Sequence, residues 1–479
     1  MFKQIFLFEI KLWLKKPATY IFFFVFFLLS MFVTAALGGL IGTSGDSNAT
    51  INSAKAIAEA LNGINTDLIG IIILITIIAP AVYKDFQYNM HPLLFTNPIT
   101  KFGYMFGRFS ASFLIALFVV SGSIFGHMLT CFFPGIEAER LGGFHLMNYV
   151  QPLVMFVIPN TLLLGAIFFS VVTFSRNMIS GYVGAIVLLV LKGVSPILLG
   201  DIDNQNIAAM LDPFGDQAFS NMTKYWSVEE QNSFGLPFNG ILLYNRLLWV
   251  WIALGISALT FYRFKFSQFN NPVSFSWFRK KKKEIKSIAS SPLLSLSDLP
   301  KANQNFTFKF SLYQIWFLAK FEYFKVVKTI FFFIIALLSI LMLTLVSQVS
   351  AAIYGTPTLL VTYQVLQVSG VLFMLFAPIL IVFYSGIVVW REKDSKVDEL
   401  VGASPIASST SFLSKLLGMV MMQMTLLLII MITGIFIQLY NNFYHIEILL
   451  YIKDLFWFKL IGLVLLCVLS MFIQVLFNQ

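Results

Sequence analysis

The side chains best suited to catalysis or metal binding are few in this sequence and lie far apart. The four histidines and the two cysteines, Cys131 and Cys467, show none of the short spacings that bring metal ligands together. No Gly-x4-Gly-Lys-Ser/Thr loop is present to bind nucleotide phosphates, and no His-Glu-x-x-His motif is present to bind zinc. The sequence therefore offers no catalytic residue and no metal site, and we expect the chain itself to bind no cofactor.

A short pattern of charged residues, in contrast, occurs twice. In each copy a cation and a carboxylate follow a long apolar stretch, and a second cation comes 23 residues after the carboxylate. The second copy lies 307 residues after the first, and a Phe-Glu pair ahead of each copy recurs at an offset of 313. Such self-similarity indicates an internal duplication. The paired positions are Lys84-Asp85 and Arg391-Glu392, Arg108 and Lys415, and Phe8-Glu9 and Phe321-Glu322.

Apolar residues between these charges are matched as well. Three of them in each copy follow the i, i+3, i+4 spacing that places side chains on one face of a helix, and a Pro-Ile pair follows. We predict two short surface helices, over about 86–95 and 393–401, each of which binds a partner subunit. The residues concerned are Met90, Leu93, Leu94, Pro98 and Ile99 in the first copy, and Val397, Leu400, Val401, Pro405 and Ile406 in the second.

The composition places these elements in a membrane. Of 479 residues, 58% are hydrophobic and only 11% are charged, with a mean hydropathy of +0.84, whereas soluble domains carry about 25% charged residues. A helix needs about 20 apolar residues to cross a bilayer. Ten stretches meet this requirement and predict an all-α polytopic membrane protein: 18–41, 67–83, 109–132, 151–174, 178–200, 241–262, 329–350, 367–389, 412–440 and 455–476.

The basic residues predict how the helices are oriented. With a cytoplasmic N-terminus, 25 of the 32 Lys and Arg residues lie on cytoplasmic segments, as expected for a bacterial-type inner membrane. This asymmetry explains the net charge of +10 without nucleic-acid binding. The basic segment 266–310 is predicted to be a cytoplasmic linker. Its run Arg279–Lys283 either binds anionic lipids or is an ordinary positive-inside loop.

The duplication divides the chain into two repeat units. The first, 1–265, has six predicted spans, and the second, 311–479, has four, with the same order and sidedness. The architecture is therefore predicted to be a 6+4 parallel tandem repeat. Because the second unit lacks counterparts of spans five and six, we expect it to be incomplete. On that basis Gly434 and Gln438 would face lipid or a separate subunit.

Charged residues inside the predicted spans are rare. Apart from Asp67, the first residue of the second span, none of the spans contains Asp or Glu, which disfavours an ion-coupled carrier because such carriers bury carboxylates. Lys192 and Arg246 are candidates to line a cavity, although for Lys192 we favour a side chain that extends to the membrane surface. The external segment 201–240 carries a motif that either caps the helices or forms a substrate exit. Its residues of interest are Asp212, Pro213, Phe214, Gly215 and Glu229.

Several sequence motifs resemble those of ABC-2 type transporter permeases. The resemblance is strongest to a subgroup in which a longer permease is fused to a C-terminal zinc aminopeptidase domain. The motifs are Phe106-Gly-Arg-Phe109, Pro134-Gly-Ile-Glu-Ala-Glu-Arg-Leu141, Pro159-Asn160, Leu211-Asp-Pro-Phe-Gly215, Tyr225-Trp226 with Glu229 and Asn232, and Asn245-Arg-Leu-Leu-Trp249.

The resemblance implies ATP-driven export with a separate nucleotide-binding ATPase subunit, on which ATP and Mg²⁺ would act. It also implies a further permease or peptidase segment as a partner. Two alternatives remain open from the residues: the membrane anchor of a larger permease–aminopeptidase fusion, and a secondary carrier.

Overall fold

The computed structural model describes most of the chain outside the predicted linker. The residues it describes are 2–40, 50–88, 90–96, 98–136, 138–198, 205–264, 307–350, 352–353, 356–357, 359–404 and 406–476. Residues 266–306 of the linker and Pro405 lie outside them. The described residues form two compact units, within 1–274 and 275–479, which are considered separately as unit 1 and unit 2.

Unit 1 is built from helices of very different length. They are α1 (Phe2–Leu14), α2 (Pro17–Leu37), α3 (Ala54–Thr66), α4 (Leu68–Ile78), α5 (Pro80–Gln87), α6 (His91–Thr96), α7 (Lys101–Thr130), α8 (Ala138–Leu141), α9 (Met147–Pro152), α10 (Ile158–Ser175), α11 (Met178–Leu198), α12 (Gln205–Leu211), α13 (Asp216–Thr223), α14 (Val228–Ser233) and α15 (Gly240–Arg263). A π-helical turn, Leu153–Val157, joins α9 to α10, so that Met147–Ser175 forms one continuous helix.

Unit 2 is also helical, apart from the paired two-residue strands β1 (Ala352–Ile353) and β2 (Thr356–Pro357). Its helices are α16 (Phe308–Val327), α17 (Ile330–Ser350), α18 (Thr362–Asp394), α19 (Asp398–Gly402), α20 (Ser408–Tyr440), α21 (Ile448–Tyr451) and α22 (Leu460–Leu476), with a π-helical segment, Ile452–Lys459, between α21 and α22.

Seven helices among the described residues are long and apolar enough to cross a membrane. The count is eight if α3 and α4, which meet at a bend of 59°, form one broken span. These helices bear out an all-helical, multi-pass membrane protein. The seven are Pro17–Leu37, Lys101–Thr130, Met147–Ser175, Gly240–Arg263, Ile330–Ser347, Ser408–Tyr440 and Ile448–Leu476.

The other three predicted spans, 67–83, 178–200 and 367–389, are not among these seven helices. The first is divided between α4 and α5, and the second falls on α11, where only Ser180–Gly193 forms a continuous apolar helix. The third lies within the 33-residue helix α18. Ten spans in a 6+4 arrangement therefore remain a prediction.

One long-range contact in unit 1 depends on two glycines. A Cβ on Gly122 of α7 would lie only 2.4 Å from the carbonyl oxygen of Phe23 in α2. A Cβ on Gly126 would lie only 2.2 Å from the carbonyl oxygen of Phe27. Small residues permit such close approach, on which helix association in lipid depends. The α2–α7 contact thereby fixes the N-terminal helices against the centre of unit 1, where α4, α7 and α10 bury Leu74, Val119 and Phe168.

The expectation that Gly434 and Gln438 face lipid or a separate subunit is wrong. Gln438 is fully buried in unit 2, where its amide nitrogen donates to the Thr362 hydroxyl at 3.0 Å and its oxygen accepts from the Tyr451 hydroxyl at 2.9 Å. A Cβ on Gly434 would lie 2.8 Å from the same Tyr451 oxygen. Thr362 at the start of α18 and Tyr451 of α21 are polar partners that the sequence spacing did not reveal.

Candidate functional site

The first copy of the charged pattern forms one buried cluster where α1, α5 and α7 meet. This unit 1 charge cluster consists of Glu9, Lys84, Asp85 and Arg108. Arg108 binds both carboxylates: Nη1 donates to Glu9, and Nη2 donates to Asp85 at 2.9 Å. The Nζ atom of Lys84 lies 3.6 Å from the second oxygen of Glu9.

Two cations and two carboxylates balance one another in this cluster, which permits their burial. Arg108 also donates to the carbonyl oxygen of Ala81 at 2.7 Å, and the Tyr104 hydroxyl donates to Asp85 at 2.6 Å. Burial lowers the pKa of Lys84, and the neighbouring Glu9 carboxylate opposes this shift. The cluster therefore joins three helices through charge-assisted hydrogen bonds.

The second copy forms the unit 2 charge cluster, which consists of Glu322, Arg391, Glu392 and Lys415. Both terminal nitrogens of Arg391 donate to the two oxygens of Glu322, and Lys415 lies 2.9 Å from Glu392. Each pair has a counterpart in unit 1: Arg391–Glu322 corresponds to Lys84–Glu9, and Lys415–Glu392 corresponds to Arg108–Asp85. Residues at corresponding positions of the duplication therefore form corresponding ion pairs in the two units.

The backbone that follows each cluster repeats as well. Three N–H···O=C bonds occur in both units with their residue numbers shifted by 307, at nearly equal lengths. They are Tyr88 to Lys84 and Ser395 to Arg391, both 3.0 Å; Met90 to Asp85 (2.9 Å) and Val397 to Glu392 (3.0 Å); and Leu94 to Met90 (3.0 Å) and Val401 to Val397 (2.9 Å).

The two short helices begin later than predicted. Helix α6 begins at His91 instead of 86 because α5 continues to Gln87, and α19 begins at Asp398 instead of 393 because α18 continues to Asp394. The predicted apolar trios accordingly include the residue just before each helix, Met90 or Val397.

Each trio is divided between surface and interior. Leu93 and Leu400 are 62% and 77% exposed, whereas Leu94 and Val401 are half-buried. The first residue of each trio, Met90 or Val397, is also exposed. In the Pro-Ile pairs that follow, Pro98 is exposed, and Ile99 and Ile406 are half-buried. Each turn therefore presents an apolar surface beside a cluster of ion pairs.

A second polar network in unit 1 surrounds Arg246, which is only 3% exposed. Its guanidinium donates to Asn160 Oδ1 at 2.9 Å, to Asn245 Oδ1 at 2.9 Å and to the carbonyl oxygen of Pro213 at 3.3 Å. Asn160 in turn donates to Asn62 Oδ1 at 2.7 Å. This Arg246 network connects α3, α10, α15 and the segment before α13.

The external motif is part of the Arg246 network. Asp212 accepts hydrogen bonds from the backbone N–H of Phe214 at 3.0 Å and of Gln217 at 2.8 Å. Burial raises the pKa of Asp212, and these two N–H groups oppose the shift. Gly215 has φ 79°, and a Cβ there would lie 2.5 Å from Arg246 Nη2. Glu229, in contrast, is exposed in the first turn of α14 and takes no part in these contacts.

Lys192 is held by polar partners at the bend between α3 and α4. Its Nζ donates to the Thr66 hydroxyl at 2.6 Å and lies 3.5 Å from Asp216 and 3.9 Å from Asp67. The charge of Lys192 is therefore paired within unit 1, and the extension of its side chain to the membrane surface stays a prediction.

Sequence reasoning missed α3. It assigned residues 54–66 to an external loop, whereas they form a helix in which Ile57 and Leu61 are fully buried. Ser53 caps this helix by accepting from the Ala56 N–H at 3.2 Å, and that capping serine was a usable signal. Because α3 and α4 together can form a broken span, Glu59 and Asp67 are carboxylates within a candidate membrane segment.

Comparisons with protein-family models, with curated proteins and with solved structures find no match to this chain. Among the described residues, no group of three His, Cys, Asp or Glu side chains could hold a metal ion.

Proposed function

We propose that this chain is the transmembrane permease subunit of an ATP-driven exporter of the ABC-2 type, powered by a separate nucleotide-binding subunit. The observation that carries the proposal is the pair of matched turns. In both units a charge cluster, buried in unit 1 and partly exposed in unit 2, precedes a turn of the same hydrogen-bond pattern, and that turn exposes a leucine, Leu93 or Leu400.

Such a turn is suited to transmit force. Burial of an exposed apolar side chain against a partner stabilises a protein–protein contact, and here such side chains lie next to ion pairs that join three helices in unit 1. Movement of a partner bound at α6 would reach α1, α5 and α7 together. ATP hydrolysis and Mg²⁺ would belong to the partner, and transport to this chain.

The architecture that we propose for the permease is a 6+4 parallel tandem repeat with about ten spans. The recurrence of ion pairs and backbone bonds at an offset of 307 residues supports the repeat. The location of 25 of the 32 Lys and Arg residues on one set of segments supports a cytoplasmic N-terminus in an inner membrane. Anionic lipids and a further permease or peptidase segment are proposed partners.

The experiment is to purify the full chain from its native membranes with its associated proteins and to measure ATP hydrolysis in the eluate. Leu93→Asp and Leu400→Asp should each remove a Walker-motif subunit and its ATPase activity, because apolar anchors typically contribute about 1–3 kcal/mol. Val228→Asp is the control, since Val228 is also an exposed apolar residue but lies in α14. Retention of the ATPase by both leucine variants would contradict the proposal.

One observation favours a second candidate, a secondary carrier. Broken helices with charged residues at the break are typical binding elements of carriers, and the α3–α4 bend holds Asp67 next to Lys192. Transport in proteoliposomes driven by an ion gradient, without ATP or a partner, would favour the carrier over the exporter.

A further inference from the structure

Two helices, α1 of unit 1 and α16 of unit 2, lie directly before membrane spans without being candidate spans themselves. Residues 15 and 16 alone separate α1 from α2, and residues 328 and 329 alone separate α16 from α17. Both α2 and α17 are long and apolar enough to cross a membrane, whereas neither α1 nor α16 is among the candidate spans of the described residues. The short connections therefore hold the C-terminal ends of both helices at a membrane surface.

The charges of each helix are divided between its two faces. The single carboxylate of α1, Glu9, and that of α16, Glu322, are buried and pair with cations of other helices. The exposed charges are all lysines, and in the part of the chain that the structure describes none of these lysines forms an ion pair with a carboxylate. They are Lys3 and Lys11 in α1, and Lys309, Lys320, Lys325 and Lys328 in and directly after α16.

Each exposed face also carries an apolar side chain between two lysines. In α1, Leu7 is exposed and lies four residues from both Lys3 and Lys11. In α16, Phe324 is exposed and lies four residues from each of two lysines, one of which, Lys328, has its Nζ atom 5.1 Å from the centre of the Phe324 ring. Residues four apart share one face of a helix. Apolar and basic residues at a helix surface are typical of a helix that lies in the membrane interface.

The sign of the exposed charges selects the lipid. Because each exposed face holds cations and no carboxylate of its own helix, a zwitterionic head group adds no net compensating charge, whereas an anionic head group compensates the lysines. Each lysine near an anionic membrane surface strengthens binding about fivefold. The apolar side chains between the lysines gain from contact with the acyl chains just below the head groups.

We infer that the exposed faces of α1 and α16 bind anionic lipids, with the lysines on the head-group phosphates and with Leu7 and Phe324 at the boundary of the acyl chains. The inference deepens the proposed partnership with anionic lipids, and it rests on the proposed orientation only for the choice of the cytoplasmic leaflet. It does not involve the turns that carry Leu93 and Leu400. The chain can therefore be tested without an ATPase.

The test measures the lipid composition next to each helix with a fluorophore on one introduced cysteine, Leu7→Cys or Phe324→Cys, in the full chain reconstituted in phosphatidylcholine bilayers. The fluorophore reacts selectively because Cys131 and Cys467 are buried. Spin-labelled phosphatidylglycerol should quench each probe about fivefold more effectively than spin-labelled phosphatidylcholine, or more. Tyr244→Cys is the control, since it is an exposed position of α15, which contains no lysine. There the two lipids should quench equally.

Paired neutral substitutions assign the preference to each helix. Lys3→Gln combined with Lys11→Gln should remove the preference for phosphatidylglycerol at the α1 probe and leave that at the α16 probe unchanged. Lys320→Gln combined with Lys328→Gln should do the reverse. Both preferences should weaken in about 1 M salt, where charges are screened beyond about 3 Å. Circular dichroism of each variant checks that the helical fold is intact.

Equal quenching by the two lipids at both probes would overturn the inference, and so would a preference that survives the paired substitutions in a folded chain. Loss of a co-purifying ATPase from the lysine variants, together with equal quenching, would show that these faces bind a protein and not lipid. A preference for phosphatidylglycerol in a chain that co-purifies with no ATPase would support the lipid site and contradict the exporter proposal.

Discussion

Arg108 shows at the scale of a single residue how this protein keeps charge inside an apolar bundle. Its guanidinium reaches Glu9, Asp85 and the carbonyl oxygen of Ala81 at once, and the fork of five N–H donors suits such acceptors on different helices better than a compact ammonium. Lys415 occupies the corresponding position in unit 2 and pairs with Glu392, which is more exposed than Asp85. The two clusters therefore contain corresponding ion pairs, but the unit 2 cluster is more exposed than the unit 1 cluster.

We expect Arg108→Met to destabilise the chain by about 3–5 kcal/mol, because it removes the guanidinium that two buried carboxylates share. Lys415→Met is the matched control and should cost less, since water reaches the Glu392 side chain, which is 28% exposed. Chemical unfolding of both variants in detergent measures the difference. Equal losses would show that burial does not set the strength of the two clusters.

Gly215 gives a second test at the same scale. Its φ of 79° already disfavours any other residue, and a Cβ would meet the Arg246 guanidinium at 2.5 Å. Gly240 also has positive φ, 63°, but no atom lies within 4 Å of its added Cβ.

We expect Gly215→Ala to lower the unfolding free energy more than Gly240→Ala, because both changes carry backbone strain of about 1–3 kcal/mol and only the first adds a clash. Thermal unfolding of the two variants compares them. A loss at Gly240 as large as that at Gly215 would mean that Arg246 moves aside without cost.

At the scale of an element, α7 connects the two ends of unit 1. Arg108 near its start belongs to the unit 1 charge cluster, and His127 near its end contacts the Tyr149 hydroxyl at 3.2 Å. Nineteen residues separate them, which is about 28 Å along the helix. Tyr149 also donates to Asn52 at 3.0 Å. One rigid helix thus links the turn that carries Leu93 to the opposite end of the unit.

The position of α7 depends on its contact with α2. We expect Gly126→Ala to destabilise the chain, because the new Cβ would lie 2.2 Å from the Phe27 carbonyl oxygen and force the helices apart. Gly255→Ala in α15 is the control, with no atom within 4 Å. It should stabilise the chain slightly, since alanine favours a helix over glycine by about 1 kcal/mol. Unfolding in detergent distinguishes the two, and a neutral Gly126→Ala would show that α2 is free to shift.

At the scale of the whole molecule, the proposed parallel repeat predicts the same sidedness in the membrane for both units. Each unit places its charge cluster next to a short helix, α6 or α19. The proposed orientation puts both helices in the cytoplasm and α14 outside. This arrangement makes a prediction for labelling in intact cells.

A membrane-impermeant maleimide should label Val228→Cys and should not label Thr96→Cys or Glu399→Cys until the cells are opened. All three positions are exposed. The unaltered chain is the control, because Cys131 and Cys467 are both buried. Labelling of Thr96→Cys but not Val228→Cys in intact cells would invert the orientation.

The sequence by itself determined the features that depend on local composition and spacing. Long apolar stretches predict membrane helices because a helix satisfies its own backbone hydrogen bonds, so length and hydropathy suffice. The helical class and the position of most spans followed from them. The repeated Lys84-Asp85 and Arg391-Glu392 pairs were also visible, because a fixed offset needs no knowledge of the fold.

Only the tertiary structure decided which of these residues meet. Arg108 pairs with Glu9 across 99 residues and Gln438 with Thr362 across 76, and no spacing rule connects positions so far apart. The same holds for Lys192, whose partners lie on α3 and α13, and for α3 itself, whose burial comes from neighbouring helices. An unpaired polar group within an apolar bundle costs free energy, and the packing of the bundle determines which pairs form.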